Sequence, residues 1–348
     1  MKYSIIVATY NRLDELKELF ASVEKLDFPT TDFEFVISDD GSNDGTADYI
    51  SSLKAVVSFQ IQYLFQQNKG PGAARNVAME KAEGDYFIFI DSDVMLPPEW
   101  LGTIDEFLSE TPLDAFGGPD TCHESFSPLL KAINYSMTSF IGTGGTRGSK
   151  KSVQKKFYPR SFNMGVSRKV WEVVGGMGAL RHGQDMEYSA RIYKNGFKVG
   201  LIPDAFVYHK RRTSLKRFYK QIFNWGVARI NLGRMDKAML KPIHLIPAVI
   251  VAAFLVLIAT TPLFYFAISQ LFIFVLYLWI AAGAFLFLLA GIAFLQSIRQ
   301  YKKLKIGFLS IVTLYIQIFA YGFGLWKGIL QVLTGKKEAK GFTRNYYK

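Results

Sequence analysis

The sequence predicts an α/β domain with a mostly parallel, Rossmann-like sheet and helices on both faces, followed by an α-helical membrane region. Two observations lead to this prediction. Short apolar runs alternate with amphipathic helical segments over about residues 1 to 210, as is typical of βαβ units. No Asp, Glu, Lys or Arg occurs from Pro242 to Ile298, and this stretch is long enough for two membrane helices.

The composition points to an anionic partner. The 348 residues carry a formal net charge of +12, which favours nucleic acid, a negative membrane surface or a phosphorylated substrate. Nucleic acid is the least favoured partner, because the basic residues cluster beside the apolar segments. The single cysteine, Cys122, cannot form an internal disulfide, which favours a reducing compartment. No signal peptide is visible, so we expect the N-terminal part in the cytoplasm.

Polar loops follow three of the predicted strands. The strands end before Thr9–Arg12, Asp39–Thr46 and Asp91–Asp93. A parallel sheet brings such loops together at the carboxyl ends of its strands, where ligands bind. Asp91 and Asp93 could hold a hard cation there, although an isolated Asp-x-Asp is more often a turn that caps a helix. The predicted strands lie near residues 5–8, 33–37, 60–65, 86–90, 115–119, 197–203 and 205–208.

Four motifs in order carry a family resemblance. Val7–Arg12, Ser38–Thr46, Gly70–Asn76 and Asp91–Asp93 resemble those of the family 2 glycosyltransferases with the GT-A fold. The resemblance covers about residues 1 to 230. It implies transfer of a sugar from a nucleotide-sugar, with Mg²⁺ or Mn²⁺ on the diphosphate of the donor. A divalent cation neutralises the charge that grows on such a leaving group.

The resemblance also implies roles for particular residues. Asp91 and Asp93 match the pair that holds the metal, and His209 is placed to complete its ligand set, although a lone His is more often structural. Asp40, with Asp39 beside it, would contact the nucleobase. The full set implied for the nucleotide is Thr9, Tyr10, Arg12, Asp39, Asp40, Arg75 and Asp91.

Asp185 is the candidate general base of an inverting transfer. The family usually has Glu-Asp here, and this chain has Gln184-Asp185. An alternative interpretation makes Asp185 a helix N-cap, and a phosphate acceptor would need no base. Asn224 stands where the Gln-x-x-Arg-Trp motif of processive synthases has Arg, so processive synthesis is not inferred. Residues expected on the acceptor side are Asn163, Gly165, Gln184, Arg211, Arg212, Gln221 and Trp225.

The second half of the chain predicts membrane attachment. A catalytic domain over 1–212 is followed by amphipathic interface helices over 213–242, apolar segments near 243–264, 271–295 and 306–328, and a basic tail over 334–348. The positive-inside rule places the basic residues after the second segment in the cytoplasm. Three full spans would put the tail outside against that rule, so the third segment either overrides it or is re-entrant. The glycine- and lysine-rich residues 142–156 predict a surface loop or a lid.

These expectations combine into one leading hypothesis. The chain is expected to be a multi-pass protein of the bacterial inner membrane that transfers a sugar from a nucleotide-sugar, with a UDP-sugar as the expected donor, to a polyprenyl-linked acceptor in polysaccharide or surface-glycan synthesis. One alternative is a polyprenyl-phosphate glycosyl synthase, in which Arg211 and Arg212 would bind the acceptor phosphate. Another is a membrane protein that only senses a nucleotide. The sequence does not indicate an oligomeric state.

Overall fold

The computed structural model describes residues 2–144, 156–180, 182–210, 213–267 and 269–342. The chain divides into two compact units. The first combines Met1–Ser125 with Thr146–Arg211 and Asn345–Lys348, and the second combines Phe126–Gly145 with Arg212–Arg344. The second unit therefore takes a segment, Phe126–Gly145, that the sequence analysis placed inside the catalytic domain.

Ten strands and twelve α-helices are described. The strands are β1 Tyr3–Thr9, β2 Phe33–Asp39, β3 Gln60–Phe65, β4 Tyr86–Asp91, β5 Val94–Met95, β6 Ala115–Gly117, β7 Asp120–Thr121, β8 Asn163–Ser167, β9 Val199–Leu201 and β10 Val207–His209. The helices are α1 Leu13–Val23, α2 Thr46–Lys54, α3 Pro71–Lys81, α4 Trp100–Glu110, α5 Pro128–Thr138, α6 Phe140–Thr143, α7 Arg168–Val174, α8 Gln184–Lys194, α9 Leu215–Met235, α10 Pro242–Ala267, α11 Ser269–Tyr301 and α12 Leu304–Leu333.

The main sheet has seven strands in the order β3-β2-β1-β4-β8-β6-β9. Only β8 runs antiparallel to its neighbours, β4 and β6. Side chains of one strand alternate between two apolar cores: Ile5 and Val7 pack with α1 and α4, whereas Ile6 packs with α3 and α8. The sheet is thus covered by helices on both faces, which confirms the predicted fold class.

A small second sheet was not predicted. Its three strands lie in the order β5-β10-β7, with β10 antiparallel to β5 and parallel to β7. The strand predicted near residues 205–208 corresponds to β10, whereas β5 and β7 have only two residues each and are too short to show an apolar alternation in the sequence. This sheet matters because His209, the last residue of β10, is paired opposite Val94, just after the Asp91–Asp93 motif.

Among its described residues, the second unit contains three helices that are long and apolar enough to cross a membrane: Pro242–Pro262, Phe272–Tyr301 and Leu304–Leu333. They correspond to the three predicted apolar segments. The third is one unbroken helix of 30 residues, so it lacks the break that a re-entrant loop requires.

Gly165 provides a test of how tightly the sheet is packed. A Cβ atom at Gly165 would overlap the ring of Phe116, whereas a Cβ at Gly102 in α4 would meet only Asp27 O at 3.9 Å. We expect Gly165→Ala to destabilise the protein by about 1–3 kcal/mol through overpacking. Gly102→Ala should raise stability by about 0.5–1 kcal/mol, since alanine favours helix.

Thermal unfolding of the detergent-purified chain measures both variants. The melting temperature of Gly165→Ala should fall, and that of Gly102→Ala should stay equal or rise. An unchanged melting temperature for Gly165→Ala would mean that the sheet relaxes around the added methyl group.

Candidate active site

The loops after β1 and β2 hold each other through reciprocal hydrogen bonds. Asn11 Oδ1 accepts from Asn43 N at 2.9 Å, and Asn11 N donates to Ser42 Oγ at 2.8 Å. Asp44 accepts from the first amide of α1, Leu13 N, at 2.9 Å. Asn11 has φ 50°, a left-handed conformation that asparagine tolerates better than most residues. The two loops are therefore positioned as a pair at the carboxyl edge of the sheet.

Asp39 and Asp40 are buried at the end of β2 and use their carboxylates within the protein. Asp40 accepts from Gln66 Nε2 at 2.6 Å and from the amides of Lys69 and Gly70, each at 2.8 Å. Asp39 accepts from Ser42 N at 2.8 Å and Tyr63 OH at 2.7 Å. Both carboxylates thus organise the loops around the expected nucleotide site. Direct contact with the nucleobase stays a prediction.

Thr9 and Tyr10 lie at the end of β1. Thr9 is 2 % exposed, and its Oγ1 makes no hydrogen bond to another described residue. A buried hydroxyl without a partner is costly, so this atom is available to a bound molecule. Tyr10 is partly exposed beside it, in line with the predicted nucleotide side.

Asp91, Asp93 and His209 converge into one candidate metal site. One ligand atom from each lies within 4.8 Å of the others, and Asp93 Oδ1 is 3.2 Å from His209 Nε2. Asp91 ends β4 and His209 ends β10, so both sheets are needed to assemble the group. Carboxylate oxygens suit Mg²⁺ and Mn²⁺, and an imidazole nitrogen is the commonest protein ligand for metals. The three side chains therefore fit a divalent cation.

Two arginines face this acidic pair. Arg75 Nη2 lies 2.8 Å from Asp91 Oδ1, and Arg12 Nη1 lies 3.4 Å from Asp93 Oδ2. Arg75 is 6 % exposed, and its Nε makes no hydrogen bond within the described part of the chain. A buried guanidinium with a free donor is suited to an anion such as a phosphate. The sequence analysis placed Arg12 and Arg75 on the nucleotide side without linking them to the two aspartates.

Asp120 was missed by the sequence analysis. Its carboxylate lies 3.4 Å from His209 Nδ1, on the side of the ring away from Asp93, and its side chain is only 1 % exposed. A carboxylate behind a metal-binding imidazole fixes the orientation of the ring. The signal in the sequence was Asp120 directly after Gly117-Gly118-Pro119, but β7 is too short to be recognised as a strand.

Asp185 lies in the first turn of α8. The N-cap of this helix is Gly183, with φ 82°, so the interpretation of Asp185 as the N-cap is wrong. Asp185 Oδ1 accepts from Met186 N at 2.9 Å, and Oδ2 lies 4.0 Å from Arg160 Nη1. Gln184 packs on Gly72 of α3 and donates to Gly178 O at 3.1 Å. The starts of α8 and α3 are thus adjacent, which brings Asp185 towards the helix that carries Arg75.

Two residues expected on the acceptor side are buried in the sheet. Asn163 is fully buried; it donates to Ala205 O at 2.7 Å and accepts from Trp100 Nε1 at 3.3 Å. Gly165 lies inside the sheet against Phe116. Both positions are structural, so any effect on an acceptor would be indirect.

The other expected acceptor residues are spread over the chain. Arg211 and Arg212 lie outside the described residues, as does most of the predicted loop over 142–156. Gln221 and Trp225 lie on α9, in the second unit, where both are partly exposed. Between them, Asn224 accepts a hydrogen bond from Phe342 N at 2.8 Å.

Comparison with known proteins agrees with this geometry. Residues 4–174 match Glycosyl transferase family 2, and residues 145–328 match Glycosyl transferase family 21. The chain belongs to the family 2 and family 21 glycosyltransferases.

Three known proteins show how far the likeness extends. The glycosyltransferase is 39% identical over 144 residues to poly(ribitol-phosphate) beta-N-acetylglucosaminyltransferase TarS of Staphylococcus aureus, a match that covers 38% of this chain and 25% of TarS. It is 32% identical over 118 residues to the GalNAc(5)-diNAcBac-PP-undecaprenol beta-1,3-glucosyltransferase of Campylobacter jejuni, covering 33% and 37% of the two chains. The mannosyltransferase PcManGT of Pyrobaculum calidifontis, solved with GDP-Man and Mn²⁺, shares the fold at 16% identity and TM-score 0.60, covering 89% of this chain and 86% of that one.

The Asp44 carboxylate makes the stability of the two loops depend on pH. Burial favours its protonated form, but hydrogen bonds from Thr46 and from the amides of Leu13 and Thr46 lower the pKa of Asp44 below its usual value. The stability that Asp44 contributes is therefore complete above the unfolded pKa of about 3.9 and is lost as pH falls through the lower folded value. Asp44→Asn should lower stability at neutral pH by up to about 1 kcal/mol, because the hydrogen bonds from Leu13 and Thr46 are stronger to a carboxylate than to a neutral amide oxygen.

Melting temperatures between pH 7 and pH 3 test this expectation. The difference between the parent and Asp44→Asn should be constant at neutral pH and shrink in acid. Glu80→Gln, at an exposed position of α3, removes the same charge and should leave the melting temperature nearly unchanged. A difference that grows in acid would contradict the assignment.

Asp120 is expected to control metal affinity through His209. Asp120→Asn removes the charge behind the ring and should weaken Mn²⁺ binding by about 10–100-fold. Isothermal titration of the purified protein with Mn²⁺ measures this directly. Glu106→Gln, at an exposed position of α4, is the charge-matched control and should bind like the parent. Equal affinities for both variants would show that Asp120 does not act on the metal site.

Proposed function

We propose that this glycosyltransferase is a membrane-bound, metal-dependent, inverting enzyme. It transfers a sugar from a nucleotide-sugar, with a UDP-sugar as the expected donor, to a lipid-linked acceptor in surface-glycan or polysaccharide synthesis. The observation that carries the proposal is the Asp91, Asp93 and His209 cluster, flanked by Arg12 and Arg75, within a family 2 match.

The charges at the candidate metal site suggest how the donor would be bound. A divalent cation at this site would offset the negative charge that develops on the departing nucleoside diphosphate. Asp91, Asp93 and His209 would hold it. Arg75 would direct its free Nε–H at the phosphates. The Thr9 hydroxyl would form a hydrogen bond with the nucleoside. Asp39 and Asp40 would act chiefly by holding the loops that line the pocket.

The acceptor end depends on Asp185. Its Oδ2 is 4.0 Å from Arg160 Nη1, and the side chain is 18% exposed, so this oxygen is accessible to an acceptor hydroxyl. As general base, Asp185 would take the proton of that hydroxyl while the oxygen attacks the sugar carbon opposite the leaving group.

The lipid-linked acceptor and the location are supported by the second unit. Three of its helices are long and apolar enough to cross a membrane, and the Campylobacter jejuni relative is named for an undecaprenol-linked substrate. The basic residues that flank the apolar helices favour a catalytic domain in the cytoplasm and insertion in the bacterial inner membrane.

Asp185→Asn separates proton transfer from donor binding. We expect its turnover to fall by about 10²–10⁴-fold, whereas its affinity for UDP with Mn²⁺ should match that of the parent. Asp93→Asn should lose the Mn²⁺-dependent part of UDP binding as well as turnover. The assay uses purified protein in nanodiscs with UDP-sugars and polyprenyl-linked acceptors, and UDP affinity is measured by titration calorimetry.

The outcomes discriminate between the alternatives. Full activity of Asp185→Asn together with an acid-labile glycosyl phosphate product would indicate a polyprenyl-phosphate glycosyl synthase. Tight UDP binding by the parent without turnover on any acceptor would indicate a nucleotide sensor. Full activity of Asp93→Asn in excess chelator would contradict the metal role. Glu80→Gln serves as the control and should retain parental activity.

A further inference from the structure

We propose that α12 does not cross the membrane. It lies in the plane of the membrane interface, leaves α10 and α11 as a two-helix hairpin that crosses the bilayer, and returns the C-terminal segment to the side on which α9 lies. The inference concerns the second unit alone and does not rest on the proposed function.

The first step is the character of α9, which cannot lie within the hydrocarbon. This helix of 21 residues carries basic side chains along its whole length, and three of them are exposed near its start. Basic groups are costly at the centre of a bilayer but favourable at an anionic surface. The basic residues are Lys216, Arg217, Lys220, Arg229 and Arg234.

The second step is that α12 runs alongside α9 at the same level. The backbones touch at paired glycines: a Cβ at Gly226 would overlap α12, and a Cβ at Gly324 would overlap Phe223 O. One turn further on, a Cβ at Gly328 would lie 2.9 Å from Ile230 Cγ1. In these contacts the later residues of α9 lie against the later residues of α12, so the two helices run parallel. The second half of α12 therefore lies at the depth of a charged surface helix.

The third step is where the ends of α12 lie. Near its start, a Cβ at Gly307 would lie 2.9 Å from Ile298, close to the end of α11. Near its end, Trp326 Nε1 donates to Ala248 O at 2.8 Å, close to the start of α10. The start of α10 and the end of α11 lie on the same side of a hairpin that crosses the membrane. Both ends of α12 are therefore on that side as well.

The fourth step is the C-terminal segment Lys336–Phe342, which is bound to α9. Asn231 Nδ2 donates to Ala339 O, and Ala339 N donates to Asn231 Oδ1, both at 2.9 Å. Arg234 donates to Lys337 O at 2.8 Å. The ring of Phe342 lies 4.5 Å from that of Phe223. A chain that had crossed the bilayer after α11 could not make these contacts.

The burial of α12 fits this position. Half of its most apolar window is buried inside the protein, compared with 17% for α10 and 6% for α11. On the side facing α5, Thr313 Oγ1 donates to Ala132 O at 3.0 Å. The strongly exposed side chains are almost all apolar, and they form a narrow stripe suited to acyl chains. This stripe consists of Leu304, Phe308, Val312, Phe323 and Leu330.

The proposed topology also removes the conflict with the positive-inside rule. With α12 in the interface, the basic residues after α11 and those of the tail lie on one side of the membrane. They include Arg299, Lys302, Lys303, Lys336, Lys337 and Lys340. The partner for this surface is a bilayer with anionic headgroups, whose acyl chains contact the apolar stripe.

Cysteine labelling in intact cells tests the topology. In a Cys122→Ser background, single cysteines are introduced as Lys216→Cys in α9, Gln270→Cys at the start of α11, and Lys340→Cys in the tail. A membrane-impermeant maleimide is added to spheroplasts before and after permeabilisation. Only Gln270→Cys should react before permeabilisation. Lys216→Cys and Lys340→Cys should both react only afterwards, to the same extent.

Reaction of Lys340→Cys but not Lys216→Cys in intact spheroplasts would overturn the proposal, because it requires three spans. Protection of Gln270→Cys together with the other two would also overturn it. Reaction of Lys216→Cys and Lys340→Cys with protection of Gln270→Cys would keep the proposed topology but reverse the side assigned to the catalytic domain. Protease protection of a C-terminal tag on the parent chain in inside-out vesicles gives an independent measurement, since the tag should be digested.

Discussion

Negative charge converges at the carboxyl edge of the main sheet, and the surrounding structure is arranged to balance it. Asp39 and Asp40 are stabilised by neutral donors from neighbouring loops. Asp91 and Asp93 instead face Arg75, Arg12 and His209. Buried carboxylates need such partners, because an uncompensated charge in a protein interior is strongly destabilising. The first pair thereby holds the neighbouring loops in place, and for the second pair the proposed function requires that its present partners be exchanged for a cation and a phosphate.

This balance requires elements that are distant in the chain. His209 reaches Asp93 only because β10 pairs with β5, and Asp120 lies behind His209 only because β7 pairs with the other edge of β10. The small sheet therefore fixes the position of the His209 imidazole ring. Arg75 comes from α3, whose start is held beside that of α8 by the close packing of Gln184 on Gly72. The same contact links the expected base to the expected phosphate site.

The helices of the second unit differ from one another in polarity, as is suited to a boundary between water and lipid. Polarity decreases from α9, which carries basic side chains, through α12, which is half-buried, to the apolar α10 and α11. Glycines on α9 and α12 allow their backbones to touch, so a basic helix and an apolar helix can share one layer. Side-chain oxygens of Asn224 and Asn231, together with Arg234, hold the returning chain on that layer.

The sequence by itself determined six of the seven strands of the main sheet, its carboxyl-edge loops and the three apolar helices, but it missed β8. Apolar periodicity and runs of uncharged residues are local properties, and they are visible where an element is long and strongly apolar. The five residues of β8 include Asn163, Gly165 and Ser167, so this strand shows no such pattern. The acidic pair Asp91 and Asp93, and His209 as its third member, were also accessible through the motifs. Only the tertiary structure decided that Asp120 supports His209, that Asn163 is a core residue and that Gly183, rather than Asp185, is the N-cap of α8. It also decided that α12 lies beside α9, because a membrane helix and an interface helix of equal length have the same apolar composition and differ only in what they pack against.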